Sequence, residues 1–596
     1  MHYPEISADR SQKLWTATFQ GLDRRPRAAD GTFAAMGNMT GEPWPLLTSR
    51  DKRGVVAELE QPLGLIAMSE LAWIDGSTLY YNGQATPIND LSLDDDMLPK
   101  QMVSMGAYLL VFPDGKYYNT ANPEDYGDAN RLYSSEGTVP YVYMSDKTGT
   151  TYVPRTSGPD TPANPQNEDL WLDTSGGGSV LKRYSNGQWI TITALYVTIA
   201  AVGIGRGLRA NDNVTLSGIR YDSTDSSIPS DVKEKLKKQY AALNGTHIVQ
   251  WADNDQITII AVVDVNYYLQ NDIRADRKLP VMDYVIECNN RLWGCRWGEQ
   301  DGEKVNRIYA SALGDFRVWQ RYSGTSQDSY YVDVGSDGPF TGAVAANNRP
   351  YFYKEKTCHM IYGTRPSDWS MQTTEMEGPQ EGSGGTLAMY NGQMIYLSRN
   401  GVQRCDGAAV PAGEALGNAY MRGGVACVSD NTYYLSVEDF GGNSLYAMDC
   451  KRGRWYRLDD AAAVGFAVLR GETYMLCKNG MLYALEGSAG TLEELPVTWY
   501  AETAEMGYEY SEKTYLRRFL LKMALEAGAT CKMSIMYDGD GIWHDKGTMQ
   551  GRGGVKTYLI PIVPRRCEHC RVRIEGQGKI KLYGISREIA VGGDGR

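Results

Sequence analysis

Apolar and polar positions alternate with a period of two along most of this chain. That spacing sends one side chain of a β-strand into a core and the next to a surface. The alternating runs are short. They are separated by Asn-Gly, Asp-Gly or Gly-Gly pairs, which supply the positive φ that tight hairpins need. Two examples are Trp73-Ile74-Asp75-Gly76-Ser77-Thr78-Leu79-Tyr80-Tyr81-Asn82-Gly83 and Tyr108-Leu109-Leu110-Val111-Phe112-Pro113-Asp114-Gly115-Lys116-Tyr117-Tyr118. The clearest helical pattern is Asp231 to Leu243, with Ser230 as its expected N-cap and Asn244-Gly245 as its stop. The pattern predicts a mainly β protein.

The hairpin units recur. Turns at Asn289-Asn290, Asn347-Asn348, Asn391-Gly392 and Asp430-Asn431 each lead into an aliphatic–aromatic strand. They begin about 58, 44 and 39 residues apart, near the ~40–50 residues of a propeller blade. This argues for a β-propeller, in which neighbouring blades cover each other's faces. Unrelated hairpins in separate sandwiches are the other reading. Thr473 to Leu476, Asn479-Gly480 and Met481 to Leu485 read as the last hairpin of a ring. The blade pattern stops between about 125 and 275. That stretch holds the Gly/Pro/Thr/Ser-rich run 148–165, the SGGGS run 175–179, a hairpin around Asn186-Gly187, the helix and an apolar strand, Gln256 to Val265. After about 490, six strands are expected near 498–501, 517–524, 532–537, 556–562, 570–575 and 579–583, as in an antiparallel sandwich. The expected organisation is an N-terminal arm or platform segment (1–60), first blades (61–125), an inserted mixed domain (126–275), the remaining blades (276–490) and a C-terminal β platform (491–596).

Composition changes the picture in two ways. Among the 596 residues Tyr is 41, Trp 13 and Phe only 9. Tyr and Trp join an apolar body to a polar tip, which suits half-buried β faces and interfaces. The net charge is −12, which argues against a surface that grips nucleic acid throughout. The ten cysteines lack a repeated framework and read as reduced, small apolar fillers. Met1-His2-Tyr3-Pro4-Glu5 does not begin a secretory signal pattern, and the longest apolar stretch, Ile192 to Gly205, is about 14 residues where a bilayer needs ~20.

Candidate chemistry is sparse. Cys567-Glu568-His569-Cys570 offers two thiols and an imidazole, but a structural zinc site needs four ligands, and no second such pair follows. Whether Cys567, His569 and Cys570 bind a metal is left open, with strand-end residues beside a turn favoured. Asp94-Asp95-Asp96 reads as a solvated loop. Asp538-Gly539-Asp540-Gly541 reads as a hairpin turn lacking the later Glu of a calcium loop. Gly203-Ile204-Gly205-Arg206-Gly207-Leu208 misses the last glycine of a dinucleotide motif, and Gly551-Arg552-Gly553-Gly554-Val555-Lys556 is no Walker loop. Five histidines and no GxSxG or HExxH give no nucleophile–base arrangement. Seventy-two acidic residues leave a two-carboxylate glycosidase possible. The basic runs Arg24-Arg25-Pro26-Arg27, Lys233 to Lys238, Lys451-Arg452-Gly453-Arg454 and Arg565-Arg566 read as solvated faces or subunit contacts. No catalytic residue, cofactor or metal is assigned.

Ile308-Tyr309-Ala310-Ser311-Ala312-Leu313-Gly314-Asp315-Phe316-Arg317-Val318-Trp319 resembles a blade segment of phage tail propellers, with Phe316 where proline is common. Gly21-Leu22-Asp23, Asp30-Gly31, Met36-Gly37-Asn38 and Pro45-Leu46-Leu47-Thr48-Ser49-Arg50 resemble the opening of tail nozzle proteins, also called head–tail stabilisation proteins, of short-tailed phages. Arg517 to Ile589 is similar to their terminal β domain. Asp169-Leu170-Trp171-Leu172-Asp173 with Tyr184 to Trp189 resembles short modules of phage fibres. The resemblance covers roughly residues 10–120 and 280–590 and implies a structural virion protein rather than an enzyme. Such a protein forms a homo-oligomeric ring, expected to be a hexamer, below portal and adaptor proteins. Tail fibres or tip proteins attach to it, and DNA crosses its lumen at ejection without sequence-specific binding. It is assembled in the host bacterial cytoplasm, resides in the virion tail and inserts into no membrane. Trp73, Trp293, Trp319, Trp369 and Trp455, with Leu313, Gly314 and Asp315, are the candidate structural and interface positions. Two other readings stand beside this one: a receptor-binding or baseplate propeller at the tail end, and a carbohydrate-active propeller enzyme.

Overall fold

The computed structural model describes residues 11–591 apart from 94–97, 176–179, 193–194, 227, 301, 418–419, 488–489, 491, 508–512 and 564. The Asp94-Asp95-Asp96 loop and residues 176–179 of the SGGGS run lie outside the described residues. The protein is mainly β, divided among many small sheets.

Seven four-stranded sets recur among these sheets: the first five are separate meanders, the sixth is a meander within a ten-stranded sheet, and the seventh belongs to a five-stranded sheet that takes a strand from upstream. The first is Pro62–Ala67, Leu71–Asp75, Thr78–Tyr81 and Gln84–Ala85, and the second Gln101–Met105, Tyr108–Phe112, Lys116–Asn119 and Tyr126–Asp128. The third is Tyr284–Glu287, Leu292–Gln300, Glu303–Ala310 and Tyr330–Asp333. The fourth is Phe340–Ala346, Arg349–Lys354, Thr357–Tyr362 and Ser370–Glu375, and the fifth Ala388–Tyr390, Gln393–Ser398, Gly401–Cys405 and Ala409–Pro411. The sixth is Arg422–Ser429, Thr432–Asp439, Gly442–Asp449 and Arg454–Asp459. Three strands of the seventh are Ala463–Leu469, Glu472–Cys477 and Met481–Ala484, and its fourth, Gly54–Glu58, comes from far upstream. The first 60 residues thus contribute a strand to this series, where the sequence showed no blade unit. The strand Gly54–Glu58 has little alternation of its own, and its partners, Met481–Ala484 on one side and Leu492–Glu493 on the other, define it.

The first strands of these sheets touch in a closed circuit. Pro62–Ala67 lies against Gln101–Met105, which meets Tyr284–Glu287, which meets Phe340–Ala346. The short turn Gly384–Thr386 carries the contact on to Arg422–Ser429, Ala463–Leu469 follows, and it returns to Pro62–Ala67. Neighbouring sheets bury their facing residues together. Leu63, Ile74, Leu109 and Val111 fill the space between the first and second. Leu110, Phe112, Val285, Leu292 and Phe316 fill the next. Leu445, Met475 and Cys477 lie between the sixth and seventh, and Leu71, Trp73, Leu476 and Leu482 between the seventh and first. A four-stranded sheet apolar on both faces is stable only when both are covered. Asn391 (φ 47°) and Gly392 (φ 81°) form a hairpin turn of the expected left-handed kind.

The circuit is interrupted after Asp128, not before 126, because Tyr126–Asp128 completes the second sheet. The inserted unit enters and leaves through one neck, where the Arg131 and Arg277 backbones exchange hydrogen bonds of 2.8 and 2.7 Å. Its seven-stranded sheet includes Tyr141–Ser145, Tyr196–Ala200, Asn213–Ser217, Gly245–Ala252 and Gln256–Ile260. A four-stranded sheet of Thr156–Gly158, Leu170–Asp173, Val180–Ser185 and Gln188–Thr191 grows from one of its connections. The helix, Ser230–Ala241, packs Leu236 and Tyr240 onto this core. Ser230 is the first helical residue, not the cap. Pro229 occupies the cap position with extended backbone (ψ 148°), and no side chain caps the helix. The apolar strand is shorter than its sequence suggested: Ile257 and Ile259 are buried, while Ile260, Val262 and Val265 are exposed.

Both ends of the chain build the last unit. One sheet contains Ser11–Thr16, Met39–Thr40, Leu47–Ser49, Thr514–Leu525, Val555–Ile560, Arg565–Cys567 and Ile580–Val591. The other contains Gly21–Leu22, Thr32–Gly37, Thr498–Thr503, Cys570–Gln577, Thr530–Tyr537 and His544–Gln550. Phe519, Leu521 and Met523 of the first sheet share a core with Cys531, Met533, Ile535 and Ile574 of the second. The second sheet is continuous with the sixth sheet of the circuit, because Leu22 pairs with Trp455. A buried ionic cluster adds to this joint. Arg50 Nη1 meets Glu494 Oε2 at 2.6 Å, and Arg53 Nη2 meets Asp459 Oδ2 at 2.6 Å. Burial alone would raise the Glu494 carboxyl, but hydrogen bonds from Arg50 and the charges of Arg50 and Arg53 outweigh it and hold the pKa low.

Candidate functional sites and surfaces

The segment from Ser311 to Trp319 packs across the second and third sheets. Arg291, buried, reaches under it. Its Nη1 donates to the Ser311 and Asp328 carbonyls at 2.7 and 2.5 Å, and its Nη2 to the Ser326 carbonyl at 2.6 Å. Burial lowers its pKa to about 10. Its guanidinium also lies 5.0 Å from the Trp369 ring centroid, and Trp369 packs on Trp293 at 4.8 Å. Trp293 and Trp369 thus meet between the third and fourth sheets, while Trp319 lies in the neighbouring core between the second and third. Trp73 stacks on Tyr80 between the seventh and first sheets, and Trp455 is fully buried, its Nε1 donating to the Ala412 carbonyl at 2.8 Å. The remaining three positions differ. Leu313 is 43% exposed. Gly314 (φ 70°) and Asp315 form a turn, the Gly314 amide donating to the Asn290 carbonyl and Asp315 Oδ1 accepting the Arg317 amide. Phe316, the departure from the blade pattern, is buried against Tyr108 (4.9 Å) and Tyr117 (5.2 Å).

The motif-like glycine loop at 203–208 is turned the wrong way for phosphate. Arg131 donates to the Gly203, Ile204 and Arg206 carbonyls, and the Gly203 amide donates to Asp255 Oδ1 at 2.7 Å, so the loop holds a guanidinium and its first amide is taken by a carboxylate of the protein. The cage is desolvated, and burial lowers the Arg131 pKa to about 10. Cys567 and Cys570 belong to strands of different sheets, opposite Thr514 and Tyr537. Burial pushes the Cys567 thiol up to about 11, away from the thiolate a metal needs. Among the described residues no group of three or more His, Cys, Asp or Glu side chains is placed to hold a metal. Asp538 and Gly539 form a hairpin turn, and Asp538 Oδ1 accepts the Glu568 amide at 2.6 Å.

Two titratable groups lie inside the fourth sheet, on its side toward the third. His359 is fully buried, its Nε2 2.9 Å from Ser336 Oγ and its Nδ1 2.9 Å from Thr373 Oγ1. Lys354 donates to Asn306 Oδ1 at 2.9 Å and to the Ser336 carbonyl at 2.7 Å. Burial, then the Lys354 charge, lowers the His359 pKa to about 4, and burial lowers Lys354 to about 8. The Ser–His pair has a hydroxyl where a catalytic triad has a carboxylate, and the neighbouring ammonium weakens the imidazole as a base. Neither group stood out in the sequence, where each sits in an ordinary alternating run.

An open cleft has a volume of about 1270 Å³. Its walls are hairpin turns and connections of the fourth, fifth and sixth sheets, together with the Arg24-Arg25-Pro26 segment. Arg25 Nη2 meets Asp23 Oδ2 at 2.8 Å and its Nη1 meets Glu414 Oε2 at 3.4 Å; Arg399 Nε meets Glu355 Oε1 at 2.9 Å. Phe440, at the tip of the hairpin joining Thr432–Asp439 to Gly442–Asp449, is 81% exposed and lies 5.6 Å from Tyr420. The basic run 24–27 carried part of this signal in the sequence. Asp23 is a local partner of that run, whereas Glu414 comes from a segment nearly 400 residues away and left no local trace.

No protein-family model matches the chain, and no curated protein does. Among solved structures, BamB from Moraxella catarrhalis is similar over 73% of this chain and 96% of its own, at 10% identity and a TM-score of 0.29. The exo-beta-1,3-galactanase of Phanerochaete chrysosporium is similar over 50% and 95%, at 9% identity and a TM-score of 0.20. A glycoside hydrolase family 43 arabinoxylan arabinofuranohydrolase from Bacillus subtilis is similar over 50% and 94%, at 10% identity and a TM-score of 0.16. Likenesses this distant carry no inference about activity.

Proposed function

We propose that this chain is a structural protein of a phage tail, a seven-bladed β-propeller subunit of a ring-shaped nozzle through which DNA leaves the virion. The observation that carries this reading is the way the circuit of sheets is locked. Its seventh sheet is closed by Gly54–Glu58, and its sixth runs without a break into the unit built from both chain ends. A wall that resists internal pressure benefits from such continuity, because the sixth sheet cannot part from the end unit, nor the seventh from Gly54–Glu58, without breaking a hydrogen-bonded ladder. The inserted unit hangs on one neck and is the part free to adapt to a tip or fibre protein. The outer face of the end unit carries Trp15, Val555 and Leu559, all exposed, which suits subunit contacts in a homo-oligomeric ring. With a net charge of −12 the chain repels phosphate, as a conduit that must not grip DNA requires. On this reading its neighbours are portal and adaptor proteins on one side and tip proteins on the other, its place is the virion tail, and it is not an enzyme.

Mass measurement of the purified assembly tests the proposal. A six-fold ring that binds an adaptor protein is the expected outcome. A monomer at all concentrations that turns over a glycan, with turnover abolished by one carboxylate substitution, overturns it.

A further inference from the structure

The cleft beside the fifth and sixth sheets holds two guanidinium groups that make no direct ion pair among the described residues, although the charge of Arg24 is felt by the Asp439 carboxylate nearby. Among the described residues, Arg25 and Arg399 are paired with carboxylates across the cleft walls, whereas no carboxylate lies within 4 Å of Arg24 or Arg422. Both sit instead against aromatic faces: Arg24 is 5.7 Å from the Tyr446 ring centroid and Arg422 4.6 Å from that of Tyr420. Stacking of this kind orients a guanidinium while leaving its N–H edge open to an acceptor. Phe440, 81% exposed, lines the same cleft and packs at a tilt on Tyr420, which is itself 50% exposed. Below them Met421 and Leu416 supply an apolar floor.

Arginine and large aromatics at the centre of a concave surface are the residue types that carry binding energy in protein interfaces. The cleft, about 1270 Å³ and open, is larger than the enclosed pockets of small ligands. We propose that this cleft is a docking site for an extended acidic segment of a partner protein, with carboxylates meeting Arg24 and Arg422 and an apolar side chain covering Phe440. Exposed ion pairs such as Arg25–Glu414 contribute little to the fold, so they are free to re-pair with an incoming carboxylate. The inference is independent of the tail proposal, because it concerns one subunit's cleft and needs no ring.

The test is fluorescence anisotropy of the full chain with a labelled Glu-Leu-Glu-Glu-Leu-Glu peptide, with its Lys-for-Glu analogue and with heparin. The expected result is saturable binding of the acidic peptide that weakens as salt rises from about 0.05 to 0.5 M. Arg422→Glu and Phe440→Ser should each weaken it by about tenfold or more, and the Lys analogue should not bind. Phe440 is at an exposed hairpin tip, so Phe440→Ser keeps the fold, which an unchanged melting temperature verifies. Binding of the peptide that neither variant alters overturns the proposal, as does the absence of binding up to about 1 mM. Binding of heparin alone, lost in Arg422→Glu, also overturns it and assigns the cleft to polyanionic glycans.

Discussion

Arg321, in the long connection of the third sheet, donates from Nη2 and Nε to Asp212 Oδ1 of the inserted unit at 2.5 and 3.2 Å. Arg277 Nη1 approaches the other oxygen at 3.3 Å, and the carboxylate is 1% exposed. One buried anion thus holds the base of the inserted unit against the circuit of sheets. Removing it strands two guanidinium groups in a desolvated place. Asp212→Ala is expected to cost on the order of 3–5 kcal/mol locally. Arg321→Ala, which leaves Asp212 its contact with Arg277, is expected to cost about 1–3 kcal/mol. Hydrogen exchange reads both. Protection should fall in Asn213–Ser217 and Gly245–Ala252 and stay unchanged in Glu472–Cys477. Equal loss in both regions would mean that the two parts unfold as one.

The tryptophans and the leucine of the 313–319 region should separate cleanly. Trp319→Ala and Trp293→Ala remove buried rings from sheet interfaces and are expected to cost about 3–5 kcal/mol each. Leu313→Ala, at an exposed turn, is expected to stay within about 0.5 kcal/mol. Denaturant unfolding followed by tryptophan fluorescence measures the three, and a large effect of Leu313→Ala would show that this turn is covered in the assembly.

That contrast shows what was legible in the sequence. The alternation and Asn-Gly turns located the hairpins at the centre of most of the seven sheets, such as Leu71–Asp75 with Thr78–Tyr81 and Tyr108–Phe112 with Lys116–Asn119, whereas the flanking strands of each sheet, such as Gln101–Met105 and Ser370–Glu375, carried no pattern distinct enough to be placed. Gly54–Glu58 was missed because its identity depends on Met481–Ala484, more than 400 residues away. His544–Gln550 and Arg565–Cys567 were missed because they are polar edge strands with little to bury. The tryptophans chosen from type and setting as structural or interface candidates include Trp73, Trp293, Trp319 and Trp455, which are buried, and Trp369, which is partly buried. Asp212, Arg291 and Lys354 could not be chosen in this way, since a charged residue becomes buried only through partners that long-range topology supplies.

His359 and Lys354 make stability depend on pH in opposite ranges but with the same sign. The folded His359 pKa of about 4 lies below its ordinary 6.5, so the unfolded chain takes up the proton first. Its contribution is complete above about 6.5 and is lost as pH falls toward 4, on the order of 3 kcal/mol in all. Lys354, at about 8 against an ordinary 10.5, adds stability as pH rises from 8 to 10.5. Urea midpoints across pH 4–7 for the protein and for His359→Gln test the first effect. The variant should show a visibly shallower acid slope, and parallel slopes would remove His359 as the cause.

The closing strand gives the most discriminating test of the circuit. Deleting residues 1–60 removes Gly54–Glu58 and exposes the edge of Met481–Ala484, along with the Gly21–Leu22 and Thr32–Gly37 strands that join the sixth sheet to the end unit. An unpaired edge of this kind invites intermolecular pairing. A narrower change isolates the closure. Val55→Pro removes a backbone donor from a strand paired on both sides, with Tyr483 and with Leu492, and inserts a ring that ladder geometry rejects. The expected outcome is lost hydrogen-exchange protection in Met481–Ala484 and Glu472–Cys477, with the inserted unit unaffected. A synthetic peptide of residues 50–60 added to the 61–596 fragment should restore protection in the same strands. If the fragment alone is as protected there as the full chain, the seventh sheet does not need its upstream strand, and the locked circuit on which the conduit reading rests is wrong.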